Sequence, residues 1–117
     1  MKDRIILLNA LPLNAFLYFN FNASIRRLEN LEQLKKEIER LGGEELLVNF
    51  IRHPATIKLL QQKLGYNLTP VNMLYTYIPG DHIFVITLSQ WQERGKEKTE
   101  LEESDILIYE VKIYGGR

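Results

Sequence analysis

The chain has 117 residues, 45% apolar and 26% charged, a size and balance that fit one globular domain, residues 1–117, with a core that needs no covalent staples. Fifteen lysines and arginines balance fifteen aspartates and glutamates, so the composition supplies no basic excess of the kind that duplex DNA binding requires. The absence of cysteine excludes disulfides, thiolate catalysis and cysteine-held zinc, and fits a reducing cytosol.

The opening "MKDRIILLNALPLNAFLYF" has the apolar character of a signal peptide, but Asn9 and Asn14 interrupt it and no small-residue cleavage site follows. No stretch reaches the roughly 18 apolar residues that span a bilayer, so no membrane partner is expected. Residues 4–10, "RIILLNA", form a continuous apolar run, the pattern of a strand buried on both faces. Residues 16–25 alternate, with Leu17, Phe19, Phe21, Ala23 and Ile25 on one side, which predicts an outer strand with one wet face. In residues 30–43, Leu31, Leu34, Ile38 and Leu41 recur at helical spacing. Asn30 stands as N-cap with Gln33 as its capping-box partner, and two glycines supply the stop. The pairs Glu32–Lys36 and Lys35–Glu39 place charge on a solvated face.

Residues 45–51, "ELLVNFI", read either as a strand or as the end of a helical connection. A second helix is predicted over 54–65, with Pro54 at its favoured first position and Gly65 as its stop. Two β-rich runs, 72–78 and 82–89, flank the turn "PGD" and predict a hairpin. Residues 90–105 are polar, a loop with a helical turn near its end, and "ILIYEVKIY" is the last strand. Four or five strands with two helices define a mixed α/β (α+β) domain, one sheet covered by helices, with functional groups at the strand ends.

Few residues offer chemistry. His53 and His82 lie in separate elements and neither belongs to a spaced metal-ligand set, so no metal or other cofactor is expected. Neither a GxSxG elbow nor a phosphate-binding glycine loop occurs. His53 opens the second helix, where partial positive charge and unpaired N–H groups favour an anion. An imidazole beside a phosphate there can act as acid or base near neutral pH; the plain alternative is an indifferent N-cap. Trp91 is either a stacking platform for a base or a loop anchor.

Four segments in order, "LLNALPLN", "FIRHPATIKLLQQKLG", "PVNMLYTYIPGDHIFVITLSQ" and the terminal "IYEVKIY", resemble the small ring nucleases of viruses and mobile elements, the type III anti-CRISPR proteins of archaeal viruses and their relatives. The resemblance spans almost the whole chain. It implies a two-fold homodimer with a pocket across the axis, in the cytoplasm of a host cell. Its ligand would be cyclic tetra-adenylate, the messenger of type III CRISPR defence. The implied reaction is metal-independent linearisation, in which the RNA 2′-hydroxyl attacks the adjacent phosphate. By the same resemblance His53 is the general acid, and Asn9, Thr56, Asn72 and Gln90 line the pocket. The family pattern "GHxST" stands here as "RHPAT", Met73 replaces an arginine after Asn72, and "QRxxEG" stands as "QWQERG". Arg52 and Arg94 are the candidates to hold phosphate in place of the missing arginines. The alternative on the same fold is a module that binds a cyclic nucleotide or a protein without turnover.

Overall fold

The computed structural model describes residues 3–90 and 99–117. Five strands and two helices follow one another as β1 (Ile5–Leu8), β2 (Phe21–Leu28), α1 (Leu31–Leu41), β3 (Leu47–Asn49), α2 (Pro54–Leu64), β4 (His82–Leu88) and β5 (Ile106–Gly115). They form one mixed sheet in the order β2-β5-β4-β1-β3. Strand β1 runs parallel to both β3 and β4, whereas β5 is antiparallel to β4 and to β2. The three parallel strands β4, β1 and β3 therefore end on one edge of the sheet.

Both helices lie on one face. Strand side chains Ile5, Leu7, Phe84, Ile86 and Ile108 meet Leu34 and Ile38 of α1 and Leu59, Leu60 and Leu64 of α2 in the larger core cluster. Each such apolar side chain contributes about 1.5–3 kcal/mol when fully buried. The opposite face carries Ile6, Leu8, Ile83, Val85 and Val111, covered in part by Ala15, Phe16 and Tyr75 from the connecting segments. The uninterrupted "IILL" of β1 is thus explained: as an interior strand between β4 and β3 it needs apolar groups on both sides.

Local signals hold at the helix ends. Asn30 accepts the Gln33 N–H at 2.8 Å, while the Gln33 side chain accepts from Glu29 N at 2.7 Å, one residue before the expected capping-box position. Gly42 and Gly43 end α1 with φ of 135° and 89°, and Gly65 ends α2 in the left-handed region. The Glu32–Lys36 pair forms on the surface. Lys35 and Glu39 turn instead to Tyr66, whose ring lies under the Lys35 ammonium and whose hydroxyl donates to Glu39. The ambiguous 45–51 segment resolves into a short helical turn, Glu44–Leu46, followed by β3. The expected turn at the end of the polar loop is Glu103–Asp105.

Two expectations are corrected. Residues 72–78 are not a strand, and no hairpin forms with β4. Both edges of β4 are already occupied, by β1 and β5, so the tyrosine-rich run has no ladder to join. It packs over the helix-free face instead. The second correction concerns residues 16–20, which lie before β2 and outside it. The chain must travel from interior β1 to edge β2, and does so through a turn at Leu13–Ala15 after Pro12. Phe16 goes into the core against Phe21, whereas Leu17 and Phe19 point outward and Phe19 is 99% exposed. Strand β2, an edge with mostly exposed residues, keeps only Leu28 buried.

Candidate functional site

The carboxyl edge of the parallel strands is where open sheets of this kind offer a crevice for ligands. Asn9 follows β1 and Gln90 follows β4 by two residues, and Arg52 and His53 occupy the short passage from β3 into α2. Both Asn9 and Gln90 are exposed. His82, by contrast, begins β4 and lies on the opposite edge, where its N–H donates to the Arg4 carbonyl. The two histidines cannot share a ligand. Among the described residues no three His, Asp or Glu side chains group as a metal site.

His53 takes the N-cap position of α2 with an extended backbone, φ −65° and ψ 113°. Its side chain caps no backbone N–H, so it does not perform the usual N-cap function. Nδ1 lies 2.8 Å from the Thr56 hydroxyl instead, and Thr56 is 3% exposed. A buried hydroxyl three residues on therefore fixes the plane of a half-buried imidazole. Among the described residues Nε2 has no hydrogen-bond partner. The first turn of α2 contains no acidic residue, and Pro54 occupies its start. Arg52 immediately precedes His53, exposed, with one guanidinium nitrogen 3.3 Å from the Val71 carbonyl. Partial charge of the helix and a formal cation thus converge on the same few ångströms of chain.

That Arg52 bond also fixes the neighbourhood of Asn72. Val71 N–H donates to the Asn49 carbonyl at 2.9 Å, so residues 71 and 72 return to the end of β3. Asn72 and Met73 are both exposed there. Arg94 and Trp91 lie outside the described residues. The chain that follows them is tied to α2 through Lys58, which bonds Glu100 at 2.9 Å and holds the Glu100 carboxyl below its ordinary value, while Leu101 enters the core beside Leu59. Ser89 N–H donates to the Asp105 carbonyl at 2.8 Å, which joins the end of β4 to the start of β5.

Sequence reading passed over two polar centres. Asn49 is 4% exposed, and its side chain makes three hydrogen bonds, to Ile51 N, Ile51 O and Leu68 O. The signal was present, since one asparagine inside the apolar run "LLVNFI" marks a buried polar group that must be satisfied. The second centre is Asp81, at the far edge, which accepts from Arg4 at 3.0 and 2.7 Å, from the Tyr75 hydroxyl at 2.8 Å and from Ile78 N at 3.0 Å. Burial, then the bond to Asp81, pushes the Tyr75 hydroxyl above its ordinary value near 10. Arg4 and Asp81 are 77 residues apart, and nothing local announces their pairing.

A mixed five-stranded sheet with two helices on one face, one of them opened by a histidine–threonine pair at the carboxyl edge, defines a small α+β fold. Residues 5–112 match the STIV B116-like family model. The chain belongs to that family, the viral ring-nuclease family to which the sequence motifs pointed. Among solved structures it is similar to B116 of Sulfolobus turreted icosahedral virus, with 26% identity and a TM-score of 0.72 over 92% of this chain and 97% of that one. A search of curated protein sequences returned no significant match. No helix among the described residues is long and apolar enough to cross a membrane.

Proposed function

We propose that this chain is a metal-independent ring nuclease that linearises cyclic tetra-adenylate, with His53 as the general acid, and so counters type III CRISPR signalling. The observation that carries the reading is the His53–Thr56 bond of 2.8 Å at the start of α2, on the edge that also bears Asn9, Arg52 and Gln90. Family membership supports the same ligand class. With Nδ1 turned to Thr56, Nε2 is the nitrogen available to a phosphodiester at the helix start.

The reaction needs little from the protein beyond placement and one proton. The ribose 2′-oxygen forms a bond to the adjacent phosphorus while the bond from phosphorus to the 5′-oxygen breaks. The 2′-hydroxyl proton passes to water, and the imidazolium of His53 gives its proton to the departing 5′-oxygen. The product is a linear chain with a 2′,3′-cyclic phosphate and a 5′-hydroxyl. Arg52 and the unpaired N–H groups of the first turn of α2 stabilise charge on the phosphate. Asn9, Asn72 and Gln90 hold sugars or bases, and Arg94 supplies a second cation.

A near-symmetric ring suits a two-fold homodimer, each subunit offering the same patch to opposite phosphates. Apolar surface on the chain supports association. Leu17, Phe19 and Ile25 are exposed, and Ile25 borders a hollow of about 340 Å³ walled by Ala10, Leu11, Val85 and Tyr109. A second reading, nucleotide capture without turnover, is favoured by Met73, 64% exposed where the family pattern has an arginine.

Cyclic tetra-adenylate incubated with the protein in chelator separates the two. The expected result is a 2′,3′-cyclic phosphate product, reduced by roughly 10²–10⁴-fold in His53→Ala. Tight binding without product at stoichiometric protein establishes capture, and neither binding nor product overturns both. Sedimentation of the free protein checks the dimer.

A further inference from the structure

We infer that Asn49 is a positioning residue for the His53 site, locking the turn into α2 and the 66–72 segment into one frame. This rests on the reading above only in assigning work to His53; the frame itself stands on geometry. Asn49 is the last residue of β3 and, with Thr56 and Glu110, one of three buried polar residues among those described.

Its amide is used at both ends. Oδ1 accepts the Ile51 N–H at 2.9 Å, a side-chain turn over residues 49–51 that bends the chain directly before Arg52 and His53. Both Nδ2 hydrogens are spent on carbonyls, Ile51 O at 3.1 Å and Leu68 O at 2.8 Å. The backbone carbonyl of Asn49 takes the Val71 N–H, and Phe50 N–H returns to Leu7 O of β1. One residue thus joins β3, the approach to His53, and the segment ending at Asn72. Arg52 closes the loop from the other side through the Val71 carbonyl.

No apolar residue could do this, because Ile51 N, Ile51 O and Leu68 O would be left buried without partners. Nor could aspartate, which keeps the acceptor for Ile51 N but turns a carboxylate towards two carbonyl oxygens. A purely stabilising role would affect the whole fold alike. A positioning role loosens two particular segments together.

The test uses Asn49→Ala and Asn49→Ser, with Ile38→Val as a core control in α1. The serine hydroxyl can still accept from Ile51 N yet is too short to reach Leu68 O. In the ligand-free protein, amide exchange at Val71 should rise about tenfold or more in both Asn49 variants, relative to amides of the β4–β5 ladder. Exchange at Ile51 should rise in Asn49→Ala and be rescued in Asn49→Ser. The His53 ring ¹H–¹⁵N signals should shift in Asn49→Ala and stay in place in Ile38→Val. Single-turnover cleavage of cyclic tetra-adenylate should fall by about a hundredfold in Asn49→Ala and by no more than about twofold in Ile38→Val. Wild-type exchange at Val71 with an unmoved His53 ring in the Asn49 variants overturns the positioning role. Wild-type protein that cleaves nothing, with the exchange and ring changes still present, overturns the nuclease reading and leaves the frame.

Discussion

Replacing Asp81 by alanine removes the clasp that holds the 72–81 connection to the amino edge of the sheet. Four donors lose a bond to Asp81: Arg4 Nε and Nη2, the Tyr75 hydroxyl and Ile78 N, of which Arg4 Nη2 keeps the Thr76 carbonyl at 3.2 Å. The Asp81 side chain is 2% accessible and that of Arg4 32%, so the acid is buried and the base half open. Removing one partner from a fully buried pair costs about 3–5 kcal/mol. Water and the Thr76 carbonyl, both open to the Arg4 guanidinium, lower that figure, whereas Tyr75, itself buried, is left with an unpaired hydroxyl worth about 1–3 kcal/mol. The two effects share atoms and do not add, which gives about 3–4 kcal/mol. For a domain of this size that is about 12–16 °C in Tm. Asp81→Asn keeps a neutral acceptor for Tyr75 and Ile78 and should lose about half as much. Urea unfolding followed by tryptophan fluorescence and circular dichroism measures both, with a lower midpoint at unchanged slope. A loss below about 1 kcal/mol for Asp81→Ala would show that the clasp behaves as an ordinary surface pair and refute the reasoning. Because the clasp and His53 lie on opposite edges, folded Asp81→Asn should retain wild-type cleavage.

Alkaline stability should report Tyr75 and Tyr66, both raised mainly by burial and then by their carboxylate partners Asp81 and Glu39. A tyrosine whose folded value is raised keeps its proton while the unfolded chain loses one. Its contribution is therefore complete below the ordinary value near 10 and is lost as pH rises through the folded value. Tyr75→Phe should flatten the decline above pH ~10; an unchanged slope rejects the assignment. Two glycines with positive φ should differ in cost. Gly65→Ala meets nothing within 4 Å and should lose about 1–2 kcal/mol from conformation alone. At Gly80 the exposed Asp3 carboxylate can swing away from an added Cβ, but φ +100° lies further from the left-handed region that L residues tolerate than the +77° of Gly65, so Gly80→Ala should lose more. Equal midpoints for the two variants in urea contradict that ranking. Thr56→Val keeps shape but frees the His53 ring, and should slow cleavage about tenfold or more with little change in Tm.

Local chemistry made much of the fold legible. The helix limits followed from Asn30, Pro54 and the glycines after each helix, because caps and stops act over three or four residues. The interior character of β1 followed from four apolar residues in a row. Strand assignment failed for 72–78 and for 16–20, where residues of the right type had no free sheet edge beside them. Alternation shows that a segment can pair, and the topology decides whether it does. The candidate site divides in the same way. The motif brought out His53 and Thr56 as a pair three residues apart, which one helical turn suffices to bring together.

What the sequence determined by itself was a mixed α+β fold, its two helices and their ends, the absence of thiol chemistry, and the family through short motifs spread along the chain. What only the tertiary structure decided was the strand order, the clasp between Arg4 and Asp81, and the buried role of Asn49. The reason is distance along the chain. Asn49 meets Leu68 across 19 residues and Arg4 meets Asp81 across 77, and no local preference encodes such pairings. They exist because the sheet brings strand ends together and leaves their polar groups with nowhere else to bond.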